Sequence, residues 1–403
     1  MASLRKGVAV GALGGALVLM ATACGSSGGG TGGASGDGRA ATTAAAPKPT
    51  VSAARIAIEP GNGATDVKPS GALKVSVAGG RLTAVTVTGK DGKAVPGTVA
   101  ADGLSWSPTG TLAVSGEYRV TARAADAAGV ATTAESAFST LTPQKEADPH
   151  DNVGSGQTYG VGMIVSLRFD RHVKDKAAVE QGVTFETSDH TVIKPHWFGD
   201  ERVDFRPAEF WKPGTKVTVH YRLKSVEIAP GVYGGVDSDE PFTIGRSRVS
   251  TADVSTHRMT VVENGQTVDS VPFTAGKAGF DSWNGTMVIE EMDRKTRMSS
   301  NGVSGITKGQ EYDLDDVPHA MRLTDSGTYV HGNSWAGGAI GHSNASHGCI
   351  GVRDTRYGSD DTDAGHFYNN SLIGDVVTVV NSRGAKVGPD NGLSGWNLDW
   401  SAW

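Results

Sequence analysis

The sequence predicts a mainly β protein: two small β-sandwiches in tandem, then a larger β-rich domain with a tryptophan-rich tail. Three observations carry this. Short alternating apolar runs recur, with turn residues about every ten positions, the spacing of sandwich strands. Glycine is heavily used, at 56 of 403 residues, and aromatics make up only 6%. A motif at Trp106-Ser-Pro108, followed by Gly116-Glu-Tyr118, returns as Phe205-Arg-Pro207, followed by Gly214 and an alternating run.

Composition excludes several classes. Lys and Arg total 37 against 43 Asp and Glu, a formal net charge of −6. That balance lacks the basic face a nucleic-acid partner requires. Two cysteines, Cys24 and Cys349, cannot build a disulfide framework or a four-cysteine zinc site. No apolar run is long enough for a polytopic membrane protein.

Residues 1–24 read as a secretion signal. Arg5 and Lys6 supply its positive end, and Gly7 to Met20 its short apolar stretch. Ala21-Thr22-Ala23-Cys24 resembles a lipobox, with Cys24 the lipidated residue, although Ala21 stands where Leu is usual. An ordinary cleavage site near Ala23 is the alternative. Either reading exports the chain; the first anchors it by lipid on the outer face of the membrane, facing the cell wall. Residues 25–50 have almost no apolar bulk and are expected to stay disordered. Such a tether spans roughly 30 Å.

Residues 51–142 and 143–245 are each expected to form an immunoglobulin-like sandwich. In the first, Leu73–Val77, Leu82–Val87 and Glu117–Ala122 read as strands, with a turn at Lys90–Lys93. In the second, Met163–Phe169 and Val183–Phe185 do so. His172, His190, His196 and His220 fit no metal spacing. Neither module carries a chemical motif, so a rigid spacer is favoured over a polymer-binding surface made by Trp197, Phe198, Phe210 and Trp211.

Residues 246–381 form the third unit. Met259–Val262 and Thr267–Val271 flank Glu263-Asn264-Gly265, a hairpin signal. Thr286–Ile289 and Val376–Val380 are further strands. Between them lie Tyr329-Val330-His331-Gly332 and Ser346-His347-Gly348-Cys349-Ile350. A cysteine without a disulfide partner, set in a polar run with histidines, suits a reactive thiolate better than core packing. Gly348 permits a tight turn that presents backbone N–H groups to a developing oxyanion. The constellation therefore suits acyl transfer through a thioester. Two histidines compete for the base. In extended backbone His347 would share a face with Cys349, and His331 could reach the thiol across a sheet. A zinc site from His331, His342, His347 and Cys349 is the weaker option, because the spacing matches no zinc template.

His331-Gly332, followed at a distance by Ser346-His347-Gly348-Cys349-Ile350, resembles the signature of the YkuD-type L,D-transpeptidases. The similarity is greatest to actinobacterial members with a lipid anchor, two immunoglobulin-like domains and a tryptophan-rich tail. The resemblance implies Cys349 as nucleophile and His331 as general base. It also implies His347 and Gly348 in the active-site motif, with the amides of His347, Gly348 and Cys349 as oxyanion hole. Gly332 would orient the base through its carbonyl, and Ser346 belongs to the same substrate-facing motif. A lid from about Met298 to Met321 would bring Met298 and Tyr312 to substrate. The tail, residues 382–403 with Trp396 and Trp400, would pack on the catalytic domain. The implied partners are peptidoglycan stem peptides and, as covalent inhibitors, carbapenems. The implied reaction releases D-Ala from a tetrapeptide stem and forms a 3→3 cross-link, with no metal or organic cofactor. Gly351 departs from the usual Asn or Arg, and Arg353 is the candidate replacement. A Cys-His peptide hydrolase and a catalytically silent wall-binding protein are the alternatives.

Overall fold

The computed structural model describes residues 51–147, 149–300, 308 and 311–403. The signal, Cys24, the tether and most of the expected lid tip therefore lie outside the described residues.

The first sandwich pairs two four-stranded sheets. One runs Arg55–Glu59, Lys74–Ala78, Ser105–Pro108, Gly97–Val99; the other runs Ala64–Val67, Ala131–Thr140, Glu117–Ala125, Arg81–Gly89. Alternation sets the core: Tyr118, Val120, Ala122 and Ala124 point inward from one strand and meet Val75, Trp106 and Phe138. The second sandwich repeats this strand order. Its sheets run His150–Asp151, Val165–Arg168, Arg202–Pro207, Ile193–Phe198 and Thr158–Tyr159, Asp237–Ile244, Lys216–Arg222, Val183–Thr187. Both modules even share one parallel outer pair, Ala64–Val67 with Ala131–Thr140 and Thr158–Tyr159 with Asp237–Ile244. A tyrosine pins a turn in each: Tyr118 Oη accepts from Ala113 N at 2.7 Å, and Tyr159 Oη from Gly154 N at 2.8 Å. The repeated Trp106 and Phe205 motifs occupy corresponding strands.

Two helices escaped the sequence reading. Lys176–Gly182 starts at Asp175, whose carboxylate accepts from Ala178 N at 2.9 Å. Asp363–Asn369 starts at Thr362, whose hydroxyl accepts from Gly365 N at 3.1 Å. Both have seven residues, too short for a clear helical period.

The four aromatics offered as a polymer surface are engaged by the protein. Trp211 is buried and donates to Met163 O at 2.7 Å. Trp197 stacks on Phe169, lies under Lys176 and donates to Glu180. Phe198 meets Trp403 and Arg202, and Phe210 meets Trp396. This packing supports the spacer reading.

The third unit is built on a nine-stranded sheet. Its order is Gly285–Val288, Val376–Val380, Arg248–Asp253, Arg258–Glu263, Gln266–Thr274, Ile350–Arg353, Tyr329–Asn333, Asp313–Arg322, Glu291–Ser299. Only Phe273 and Thr274 join the Gln266–Thr274 strand to Ile350–Arg353, through Val352 and Gly351. The expected hairpin is present, with Asn264 at φ 48° and Gly265 at φ 82°, the left-handed pair a two-residue turn needs. Met321, expected at the end of a lid, is instead a fully buried core residue paired with Val330.

The tail corrects an expectation. It does not pack on the catalytic domain alone but wedges between that domain and the second sandwich. Asn397 exchanges hydrogen bonds with both the N–H and the carbonyl of Thr286, at 2.9 and 2.6 Å. On the other side Arg206 of the second sandwich lies under Trp396, Trp400 and Trp403, at 4.8, 5.3 and 4.2 Å. The indole N–H groups of Trp396 and Trp403 donate to Gly162 O and Lys194 O. A buried guanidinium needs acceptors and a polarizable cover, and the indoles plus Leu398 O provide both. The second sandwich's core runs on into Val288, Val376 and Leu393.

Candidate active site

Two adjacent parallel strands build the site. Tyr329–Asn333 pairs with Ile350–Arg353, in the register Val330 to Ile350 and His331 to Gly351. Val330, Ile350 and Val352 are fully buried in the core. Alternation therefore turns His331 and Gly351 to the opposite face, and Cys349 stands in the bend just before the second strand, beside the Tyr329 backbone.

His331 is 5% exposed. Its Nδ1 donates to Gly332 O at 2.8 Å, which fixes the tautomer and leaves Nε2 as the free acceptor. Trp335 stacks on the ring at 5.7 Å, nearly parallel. Burial pushes the imidazole pKa down, while the Gly332 carbonyl and the Asp354 carboxylate pull it back.

Cys349 is partly exposed. Its thiol donates to Gly327 O at 3.6 Å. Burial pushes the thiol up to about 11, against the opposing Tyr329 backbone N–H. The net push on the thiol is therefore upward, where the sequence reading expected an imidazole to lower it.

The Ser346–Cys349 turn corrects two expectations. Its backbone bends at Gly348, at φ 116°. His347 packs between Phe280 and Tyr312, at 4.8 and 5.2 Å. Its Nε2 lies 3.4 Å from Lys277 Nζ, and burial plus that charge lower its pKa. Ser346 does not face substrate: its hydroxyl donates to Cys349 O at 2.6 Å and accepts from Gly348 N at 3.1 Å. The Gly348 amide, expected in the oxyanion hole, is thereby taken. Gly332 is a buried strand residue whose carbonyl serves His331.

Met298 is 8% exposed and packs with Tyr312 and Tyr329, so it lies behind the ring that reaches His347. Tyr312 is partly buried, and its N–H donates to Ser300 Oγ. Arg353 does not fill the space over Gly351; its guanidinium turns to Asp363, at 3.8 Å. That space holds the Asn333 carboxamide: a Cβ added to Gly351 would meet Asn333 Nδ2 at 2.7 Å and Thr274 Cγ2 at 3.1 Å. Among the described residues no three His, Cys, Asp or Glu side chains converge on a possible metal position.

Sequence reasoning missed Lys277, Phe280, Asn333, Trp335, His319 and Asp354. Only tertiary contact marks them. Asp354 sits in a polar run that reads as a loop, and Lys277 is 72 residues upstream of Cys349.

Comparison with known proteins agrees with this geometry. Residues 64–227 match a bacterial Ig domain, and residues 247–379 match the L,D-transpeptidase catalytic domain. L,D-transpeptidase 2 of Mycobacterium tuberculosis (strain CDC 1551 / Oshkosh) is 33% identical over 342 residues, covering 85% of this chain and 82% of that protein. L,D-transpeptidase 5 of Mycobacterium tuberculosis (strain ATCC 25618 / H37Rv) is 30% identical over 358 residues, covering 87% and 76%. A solved LD transpeptidase LdtMt1 in complex with imipenem is 27% identical, covers 57% of this chain and 97% of that one, and has a TM-score of 0.48. Identity at this level along most of both curated relatives, on a chain with the cysteine and histidine so placed, shows that this protein belongs to the L,D-transpeptidase family.

Proposed function

We propose that the protein cross-links peptidoglycan by acyl transfer through Cys349, with His331 as the base. The observation that supports this reading is the placement of His331 on the strand beside the one that Cys349 immediately precedes, with the imidazole tautomer set by Gly332 O.

The chemistry follows from that arrangement. Nε2 of His331 takes the Sγ proton as the thiol turns from Gly327 O toward the substrate. The thiolate attacks the carbonyl carbon of the third residue of a stem tetrapeptide. Negative charge collects on the carbonyl oxygen, where the amides of His347 and Cys349 are the candidate donors. The C–N bond to the terminal D-Ala breaks, and the imidazolium returns its proton to the leaving amine. An amine of a second stem, diaminopimelate by the family resemblance, then attacks the thioester. Nε2 accepts the amine proton, the C–S bond breaks, and a 3→3 link remains. The Lys277, Phe280, Tyr312 and His347 cluster forms the wall beside this path.

Exposure to imipenem tests the nucleophile. Intact mass spectrometry should show one drug adduct on the wild type and none on Cys349→Ala. With disaccharide-tetrapeptide, only the wild type should release D-Ala and form dimers. An adduct or turnover by Cys349→Ala removes this mechanism, and D-Ala release without dimers identifies a hydrolase.

The N-terminal reading belongs to the same proposal. Cys24 carries lipid, and residues 25–50 tether the folded chain to the outer face of the membrane. Cys24→Ala should shift the protein from the membrane fraction to the medium. Unchanged fractionation would remove the anchor.

A further inference from the structure

One buried ionisable pair lies against the site without a part in the chemistry above. Nδ1 of His319 lies 2.7 Å from Oδ2 of Asp354, and both side chains are almost wholly buried, at 3% and 0% exposure. They come from different elements: His319 from the Asp313–Arg322 strand, Asp354 from the residue just after Ile350–Arg353. The other carboxylate oxygen accepts from Thr355 N, Ser359 N and Thr362 Oγ1, at 2.7, 3.0 and 3.0 Å. The carboxylate is thus held by four donors in one orientation. That orientation presses it against the backbone of Gly332. A Cβ built on Gly332 would overlap Oδ2 and lie 2.8 Å from Cγ. Gly332 is the residue whose carbonyl accepts the Nδ1 proton of His331.

We propose that Asp354, oriented by His319, is the positioning carboxylate of the base. It acts on His331 across the Gly332 peptide and favours the imidazolium that forms when Sγ gives up its proton. No bond joins the carboxylate to the imidazole, so the action is through the field and through the fixed peptide plane. A charge in a dry interior is felt strongly at this range. The step balances simply: the S–H bond breaks, an N–H bond forms at Nε2, and the new positive charge faces a fixed negative one. Around His331 lie Gly332 O and Trp335, with the Asp354 charge acting from the far side of the Gly332 backbone. Asp354 faces His319, whose Nε2 lies 3.6 Å from Asp360, and Asp360 is in turn paired with Arg294. This inference rests on His331 as the base of the proposed reaction.

The test is the pH profile of Cys349 acylation by imipenem, followed by intact mass, for wild type, Asp354→Asn and His319→Gln. Thermal melting and near-UV circular dichroism report folding. Asparagine keeps the shape and the Oδ1 acceptor but removes the charge. The expected result for Asp354→Asn is a plateau rate about tenfold lower and an acidic limb moved to lower pH by about half a unit or more. The sign follows because removing a negative charge makes the imidazole easier to deprotonate. His319→Gln should move the limb the same way by less. A lower plateau with an unmoved limb assigns the pair to loop structure alone and overturns the proposal, as does an unchanged profile. Where Asp354→Asn fails to fold, the His319→Gln limb decides in the same two ways. A wild type that is not acylated at Cys349 overturns the proposed function, and this inference with it. Acylation of the wild type with unmoved limbs in the variants overturns this inference alone.

Discussion

At position 351 a missing side chain is answered by a neighbour on the adjacent strand. The family resemblance leads one to expect Asn or Arg there, and the chain has Gly351. The strand beside it carries Asn333, 3% exposed, whose Oδ1 accepts from Trp335 N and Ala336 N at 3.1 and 2.8 Å. Those two bonds point Nδ2 into the room over Gly351. Asn333 also fixes the chain that carries Trp335 over the His331 ring. Gly351→Asn alone should destabilise by about 1–3 kcal/mol, since it overpacks an occupied site. Asn333→Ala alone should cost about 1–2 kcal/mol through the two unmet N–H groups. The double variant should be less destabilised than the sum of the singles, measured by chemical denaturation in a double-mutant cycle. Strict additivity would show that the two positions do not share the space.

Among the elements, the turn Thr324–Thr328 links the thiol to the rest of the chain. Gly327 O holds the Cys349 thiol from one end of it. Asp325 carries the ion pair to Arg168 of the second sandwich at 3.0 Å, and Ser326 N donates to Asn391 of the tail at 2.9 Å. Placement of the Cys349 thiol is thus tied to elements far away in sequence. Sequence patterning reached the strands that flank this turn. The Asn264-Gly265 hairpin and the Val376–Val380 strand were legible because their signals are local: left-handed turn residues and β-branched runs. The seven-residue helices were not, because their caps, Asp175 and Thr362, look like loop residues until the backbone that they bond is in place. The tight turn at Gly348 was legible in sequence, but not the hydrogen bonds that hold the Ser346–Cys349 bend. That bend depends on Ser346 Oγ and Ser282 Oγ bonding Cys349 O and Gly348 O.

On the scale of the whole molecule, the second sandwich and the catalytic domain meet across a charged joint. Arg202 grips Asp204 with two bonds, 2.8 and 2.6 Å, and reaches Asp390 O and Gly392 O of the tail. Breaking such a buried pair costs about 3–5 kcal/mol, because one charge is left unmet. Glu290 lies in the same joint, 3.2 Å from Arg322. Burial, then the Asp325 charge, push its carboxyl up to about 7, against the opposing arginines 322, 168 and 202. A raised folded pKa means that its contribution is full below the unfolded value near 4.5 and is lost as pH rises through about 7. Stability should therefore fall across that window by up to about 1.4 kcal/mol per pH unit from this group. Glu290→Gln should flatten the difference, read as melting temperature against pH for the two proteins. Parallel curves for wild type and variant would show that Glu290 does not titrate in the joint.

The order of the chain's elements and its family were legible in sequence alone. Turn spacing marked the sandwiches, and a thiol preceded by His347-Gly348 with His331 upstream marked the proposed acyl-transfer centre. These signals are local or depend on residue type. What only the tertiary structure decided concerns groups distant along the chain. It set His331 on the strand beside the one Cys349 precedes and His347 against Phe280 and Tyr312, because strand register and the Gly348 bend set side-chain direction. It placed the tail in the joint rather than on one domain, because Arg206 needs the indoles to cover it. It pushes the Cys349 thiol up rather than down, because desolvation outweighs the Tyr329 backbone N–H. Finally, it brought Asp354 and His319 against Gly332, a convergence that no spacing in the sequence encodes, because it arises from strands that meet only once the sheet has formed.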